Sequence, residues 1–164
     1  MSPILKNILL LILGMVVAFS TISLIDYVGH QFYPPSEEIE AASLELSEMD
    51  GSDLEAYEAA KQKLIQTAKD YMGSAPMGAL FMIMLSWLMG AFIGAFTSAA
   101  IADERRMNLG MTVGFLVLSA TVANFIILPV HPIWMMISGA ILIILQAWLG
   151  TTIAIRFFPK TPKS

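Results

Sequence analysis

Asp26 and His30 stand four residues apart at the end of an apolar run, a spacing that puts a carboxylate and an imidazole on one helical face. Ser20 and Ser23 are read as extending that face inward, and His131 lies in a second turn between two later apolar runs. Polar groups inside a membrane are costly to keep, so they are the first places to look for function. Two histidines and one carboxylate can hold Zn²⁺ or a non-haem metal if folding brings the two turns together. The same Asp26, His30 and His131 also read as a proton-linked site, because imidazole titrates near neutral pH and a nearby carboxylate tunes it. The plainest reading is a helical Asp26–His30 pair at headgroup level, with His131 satisfied by the carbonyls of its own turn.

Asn124 and Gln146 are the only amides in the later apolar runs, with Ser119, Thr121, Thr151 and Thr152 nearby. Hydrogen bonds between helices are their expected role, each contributing about 0.6–2 kcal/mol in lipid. A polar pore is the alternative, and it would need an oligomer, because no charge stands at mid-depth. No nucleophile and base share an informative spacing, and no glycine-rich phosphate loop is present. The expectation is therefore a protein that is not an enzyme, with no catalytic residue, no resident metal and no cofactor. Its 12 methionines are dispersed as flexible apolar packing, and the absence of cysteine removes thiolate chemistry and disulfides.

The elements that must position these residues follow from composition. Of 164 residues, 57% are hydrophobic and 13% charged, and the mean hydropathy is +0.72. That balance belongs to a membrane protein rather than a soluble domain. Eleven of the 13 acids fall between Asp26 and Asp70, while Lys6, Arg105, Arg106, Arg156, Lys160 and Lys163 flank apolar runs. No basic face is large enough for nucleic acid, so the expected surroundings are membrane lipids and a membrane-protein complex or homo-oligomer.

Ile4 to Ile25 reads as the first transmembrane helix, opened by Pro3, with an exit through Asp26, Tyr27, His30 and Tyr33 before Pro34-Pro35. A cleaved signal peptide is the rival for this stretch, opposed by an apolar run that continues past Ala18-Phe-Ser20. Ser36 to Ser74 is water-soluble in character, with one amphipathic piece from about Ser36 to Glu48 and another from about Ser52 to Met72. Asp50-Gly51 separates them, and Ser52-Asp-Leu-Glu55 has capping-box spacing. The remaining spans are Met77 to Ala102, Leu109 to Leu128 and about Ile133 to Ile155, with a hairpin at Pro129 to Pro132. The expected fold is thus an all-α membrane protein with four transmembrane helices and an extracytoplasmic helical segment between the first and second. The domain boundaries are 1–33, 34–75 and 76–164. Lysines and arginines beside the helix ends put both termini on one side, expected to be the cytoplasm.

Within the second span, Ser86, Gly90, Gly94 and Ser98 return every fourth position, with Ala91, Ala95 and Ala99 one residue on. Lipid tails are as apolar as leucine, so helices associate through close contact, and this ridge lets two backbones approach. Gly110 and Gly114 form a shorter ridge on the third span. Pro76-Met-Gly78, Trp87-Leu-Met-Gly90-Ala-Phe-Ile-Gly94-Ala-Phe, Ala100-Ile-Ala102, Leu128-Pro-Val-His131-Pro-Ile-Trp134 and Ala147-Trp-Leu-Gly150 resemble a widespread family of small, uncharacterised bacterial four-helix membrane proteins. The resemblance runs along nearly the whole chain, including Gly29-His30, and implies a topology without chemistry. A longer acidic segment, roughly Ser36 to Glu58, departs from that pattern. The leading expectation is an accessory or scaffold subunit that packs through the ridge and meets a partner through the acidic segment. A small ion- or proton-coupled homo-oligomeric transporter or channel is the alternative, and a metal-dependent membrane enzyme the third reading.

Overall fold

A computed structural model describes residues 2–49 and 53–159. Within them the chain forms six helices: α1 (Pro3–Phe32), α2 (Glu37–Glu48), α3 (Leu54–Ser74), α4 (Met77–Ile101), α5 (Arg106–Ile127) and α6 (Ile133–Phe157). Four of these, α1, α4, α5 and α6, are long and apolar enough to cross a membrane. Asp50-Gly51, Ser52, Lys160 and Lys163, which entered the sequence reading, lie outside the described residues.

The helix ends follow local chemistry. Ser2 caps α1 by accepting from the Leu5 amide at 3.2 Å, with Pro3 in the first turn. The helix runs past the apolar stretch ending at Ile25 to Phe32, just short of Pro34-Pro35, and the Tyr33 amide still donates to the Gly29 carbonyl at 2.8 Å. Polarity ends the apolar span, but only Pro34 and Pro35 end the helix. At ~1.5 Å per residue α1 is about 45 Å long, more than a straight crossing of a hydrocarbon core needs. The cap of α3 is Asp53, whose side chain accepts from Ala56 N at 3.0 Å. This shifts the start one residue past the Ser52 box and puts alanine where the reciprocal Glu55 was expected. Two helices outrun their expected ends: α5 begins at Arg106, three residues early, and α6 continues to Phe157. The early start of α5 is reached through Arg105, the one non-glycine residue with positive φ (52°) among the described residues.

Helix α4 is the centre of the bundle: α1, α5 and α6 all pack on it, and α1 and α6 each also contact or flank α5. Its small residues serve two sides. A methyl placed on Gly94 would lie 2.7 Å from the Gly14 carbonyl oxygen and 2.7 Å from the Ala18 methyl of α1. Gly110 of α5 approaches the Ala95 carbonyl to 3.0 Å from its would-be Cβ, and Gly150 of α6 abuts the Phe92 carbonyl. The ridge is therefore spent inside the bundle, with Gly90, Gly94 and Ser98 toward α1. Gly114 and Gly110 meet Ala147 and Thr151 of α6.

The two ends of the bundle are tied differently. At the end away from α2 and α3, Lys6 forms an ion pair with Asp103. Arg106 there donates from Nε to the Ala99 carbonyl at 2.7 Å, and through its two terminal nitrogens to Phe158 and Ala154 at 2.8 Å each. One guanidinium thus satisfies carbonyls at the C-terminal ends of α4 and α6, where the helix dipole is negative. At the other end α2 and α3 pair around Ala42 and Ala60. Among the described residues α3 joins the core of the bundle through its last turn, at Tyr71 and Met72.

Candidate functional site

Where α3 meets the bundle, α1 and α4 enclose a cleft of about 60 Å³ lined by Asp26, Gly29, His30, Tyr33, Pro35, Tyr71, Ala79, Met82 and Ile83. Its polar wall comes from α1, because one turn of helix separates Asp26 from His30. The Asp26 carboxyl faces Ser86 on α4, with His30 close enough for its charge to act on it. Ser86 is wholly buried, and its hydroxyl has two acceptors within reach, the Ile83 carbonyl at 2.8 Å and the Asp26 carboxyl. Small residues make the room: Gly29 abuts the Met82 side chain, and Gly78 lies under the Tyr33 hydroxyl. The Tyr71 hydroxyl reaches the Pro34 carbonyl at 3.5 Å, which closes the cleft from the α3 side.

His131 does not join Asp26 and His30. Ser86 faces α1, whereas Trp87, about 100° further round α4 at 3.6 residues per turn, packs against His131 with ring centroids 5.4 Å apart. Phe125 completes this second cluster, 5.1 Å from His131 and 5.3 Å from Trp87. The three-ligand metal arrangement raised from the sequence is thus not assembled, because α4 stands between its halves. His131 lies in the turn between α5 and α6, and its Nδ1 has no hydrogen-bond partner among the described residues. Burial lowers its pKa from the usual 6.5, opposed by the Leu128 backbone.

Ser20 departs from its expected place, while Ser23, about 60° round the helix from Asp26, keeps to the edge of that face. They line an open groove between α1 and α5, with Leu11, Ile12, Met15, Val16, Phe19 and Leu116. Ser20 stands about 120° around the helix from Asp26 at 3.6 residues per turn, so the face does not continue inward through it. Asn124 and Gln146 are partly exposed, and neither side chain makes a hydrogen bond among the described residues. Thr121 and Thr151 instead donate to carbonyls four residues back, Val117 at 3.0 Å and Ala147 at 2.7 Å. Ser98, wholly buried against α1, has no partner for its hydroxyl among the described residues.

Sequence reasoning passed over Tyr33, Tyr71 and Met82 as cleft residues and Arg106 as a clamp. Tyr71 reaches Pro34 across 37 residues, which leaves no local signal. No family model, curated protein or solved structure matches the chain.

Proposed function

We propose that this chain is a small multi-pass accessory or scaffold subunit of a bacterial inner membrane, with α2 and α3 on the extracytoplasmic side as the element that meets a partner. The observation that supports this is how the packing surfaces are divided. The small residues of α4 are occupied by α1, α5 and α6, while α2 and α3 stand off the bundle beyond Tyr71 and Met72. Glu37, Glu38, Glu40, Glu48 and Glu55 are exposed and form no ion pair among the described residues. By contrast Glu45 is paired to Lys63 at 2.7 Å and Glu58 to Lys61 at 3.4 Å. Free carboxylates of one sign steer a basic partner surface toward the hairpin and add little to its own stability.

The orientation rests on Lys6, Arg105, Arg106 and Arg156, which share the end opposite α2 and α3. A chain without cysteine makes this testable directly. Glu48→Cys should react with an impermeant maleimide from the outer side of spheroplasts, and Arg156→Cys only after permeabilisation; the reverse pattern overturns the placement. For the function itself, mild-detergent extraction followed by size and mass analysis should recover a larger complex. Replacing Glu37, Glu38 and Glu40 together by Lys should release the partner without changing the extracted yield of the chain. Recovery of the chain alone, or as a homo-oligomer, would sink the scaffold reading.

The cleft at Asp26 favours a second reading, in which a homo-oligomer carries out ion- or proton-coupled transport with Asp26 and His30 at its outer mouth. Flux into liposomes that is lost in Asp26→Asn is its test.

A further inference from the structure

The outward side of α1 carries a pattern that the packing of the bundle does not use. Gly14, Ala18, Ile22 and Gly29 make the face that meets α4. At ~100° per residue, Ser20, Ser23, Tyr27 and Gln31 fall within about 80° of one another on the opposite side of the same helix. All four are exposed, and none makes a hydrogen bond among the described residues. Ser20 and Ser23 lie inside the apolar stretch that ends at Ile25. Hydroxyls in such spans can turn back on their own helix, as Thr21 does to Val17, Thr112 to Asn108 and Ser119 to Phe115, at 2.8 Å each. Ser20 and Ser23 keep their donors free.

We propose that this face of α1 docks a transmembrane helix of the partner subunit, one that carries hydroxyl or amide side chains at the depth of Ser20 and Ser23 and basic residues beyond its outer end. The inference rests on the accessory-subunit reading and deepens it by naming where the partner crosses the membrane. Coverage gives the first argument. In α1, 17% of the most apolar 18-residue stretch is buried, against 50%, 33% and 28% for α4, α5 and α6, so it is the outlying span. Beside the polar stripe an open groove runs along α1 from Leu11 to Ser23, walled on its far side by Leu116 of α5. This is about 18 Å along the axis, more than half of a ~30 Å hydrocarbon core, so a second helix can follow it for several turns.

Hydrogen-bonding chemistry gives the second. An acyl chain fills an apolar groove but offers nothing to a hydroxyl, whereas a helix with polar side chains at the same depth does. Such bonds, together with close packing, hold helices to one another in lipid. Charge then chooses between a second copy and a different chain. Tyr27 and Gln31 carry the stripe to the outer end of α1 at Phe32, and α2 starts five residues later at Glu37. Glu37, exposed and without an ion pair among the described residues like Glu38 and Glu40, is therefore within about 18 Å of that end. Two copies paired in parallel through α1 would bring both sets of carboxylates together around the two-fold axis. A partner helix with basic residues at its outer end meets them with the opposite sign.

The test is photocrosslinking of the full chain in its native membranes, with benzoylphenylalanine in place of Phe19 or Tyr27 on α1. Phe81 on α4 and Ile141 on α6, both exposed on other sides of the bundle, are the control positions. Adducts are resolved by mass. The expected result is one protein adduct, of the same mass from both α1 positions and different from a dimer of the chain, with lipid adducts alone from Phe81 and Ile141. Ser20→Ala combined with Ser23→Ala changes only exposed side chains and should lower the α1 adduct roughly tenfold, the weight of two interhelical hydrogen bonds. Glu37→Lys, Glu38→Lys and Glu40→Lys together should lower it at least several-fold. Lipid adducts alone from α1, protein adducts of equal yield from all four positions, or an α1 adduct undiminished in the serine variant overturns the inference. If mild-detergent extraction recovers a larger complex while α1 yields only lipid adducts, this docking site falls and the scaffold reading stands. A chain-to-chain adduct from α1, with a homo-oligomer on extraction, overturns both.

Discussion

Gly14 of α1 and Gly94 of α4 meet backbone to backbone: a methyl on Gly94 would lie 2.7 Å from the Gly14 carbonyl oxygen, and one on Gly14 would lie 3.1 Å from the Gly94 carbonyl oxygen. The contact is reciprocal, so neither glycine can gain a side chain without separating the helices. The Val113 side chain closes the third side, 2.8 Å from a methyl on Gly14 and 3.2 Å from one on Gly94. This is the close approach that lets helices associate where no hydrophobic force separates lipid from protein.

Gly94→Ala should destabilise the bundle by about 1–3 kcal/mol, the usual range for overpacking, and Gly94→Leu should abolish folding. Gly73 supplies the control, since nothing lies within 4 Å of its would-be side chain and it sits inside α3. Gly73→Ala should therefore stabilise by about 0.5–1 kcal/mol through helix propensity. Unfolding in detergent by a graded denaturant reads both. A tolerated Gly94→Leu with unchanged size would remove the ridge from the packing account.

Arg106 yields a second prediction because all three of its hydrogen bonds end on backbone carbonyls of α4 and the α6 end. Arg106→Ala should cost about 2–4 kcal/mol, given roughly 1.5–3 kcal/mol for a charge-assisted bond and incomplete additivity. Arg106→Lys should recover only part of this, since an ammonium cannot span three fixed acceptors in a plane. Limited proteolysis after Phe157 should accelerate in the Ala variant first. Equal protection in both variants and the native chain would show that the clamp does not hold the end of α6.

The helices were legible because each depends on signals within a few residues: apolar runs of spanning length, Pro34-Pro35 and Pro76 as breaks, and the fourfold return of Ser86, Gly90, Gly94 and Ser98. The extracytoplasmic placement of the acidic segment remains a reading of charge at helix ends. What stayed hidden depends on rotation and on distant partners. Ser86 and Trp87 are neighbours in sequence, yet one faces α1 and the other His131, and this separates Asp26 from the second histidine. The same holds for Arg106, whose acceptor Ala154 lies 48 residues away. A basic residue at a helix end marks orientation in the sequence, and only folding shows that it also serves as a cap.

His131 makes stability depend on pH with a definite sign. Burial lowers its folded-state pKa below 6.5, so between that value and the lowered one the unfolded chain binds more protons than the folded one. Stability then rises with pH through this window and is lost as pH falls through it. The rings around the imidazole are Trp87 and Phe125, and no ion pair to His131 occurs among the described residues. The unfolding midpoint should drop between pH 7.5 and pH 5, and His131→Phe should flatten that drop. Identical slopes in the two proteins would show that the histidine is not coupled to folding.

Tyr71 gives the last prediction, because it is the residue through which α3 touches the cleft and it also reaches Pro34. Any partner that pulls on α2 and α3 pulls on this contact, which lies beside Asp26 and His30. A cysteine-free chain allows a single reporter: Met82→Cys puts a thiol on the cleft wall. A small charged thiosulfonate should label it slowly in the otherwise native chain and several-fold faster once Tyr71→Ala is added. Tyr71→Phe, which keeps the ring and loses only a long 3.5 Å hydrogen bond, should label nearly as slowly as the native background. If Tyr71→Ala leaves the rate unchanged, α3 does not cover the cleft, and whatever meets the acidic hairpin acts without reaching Asp26.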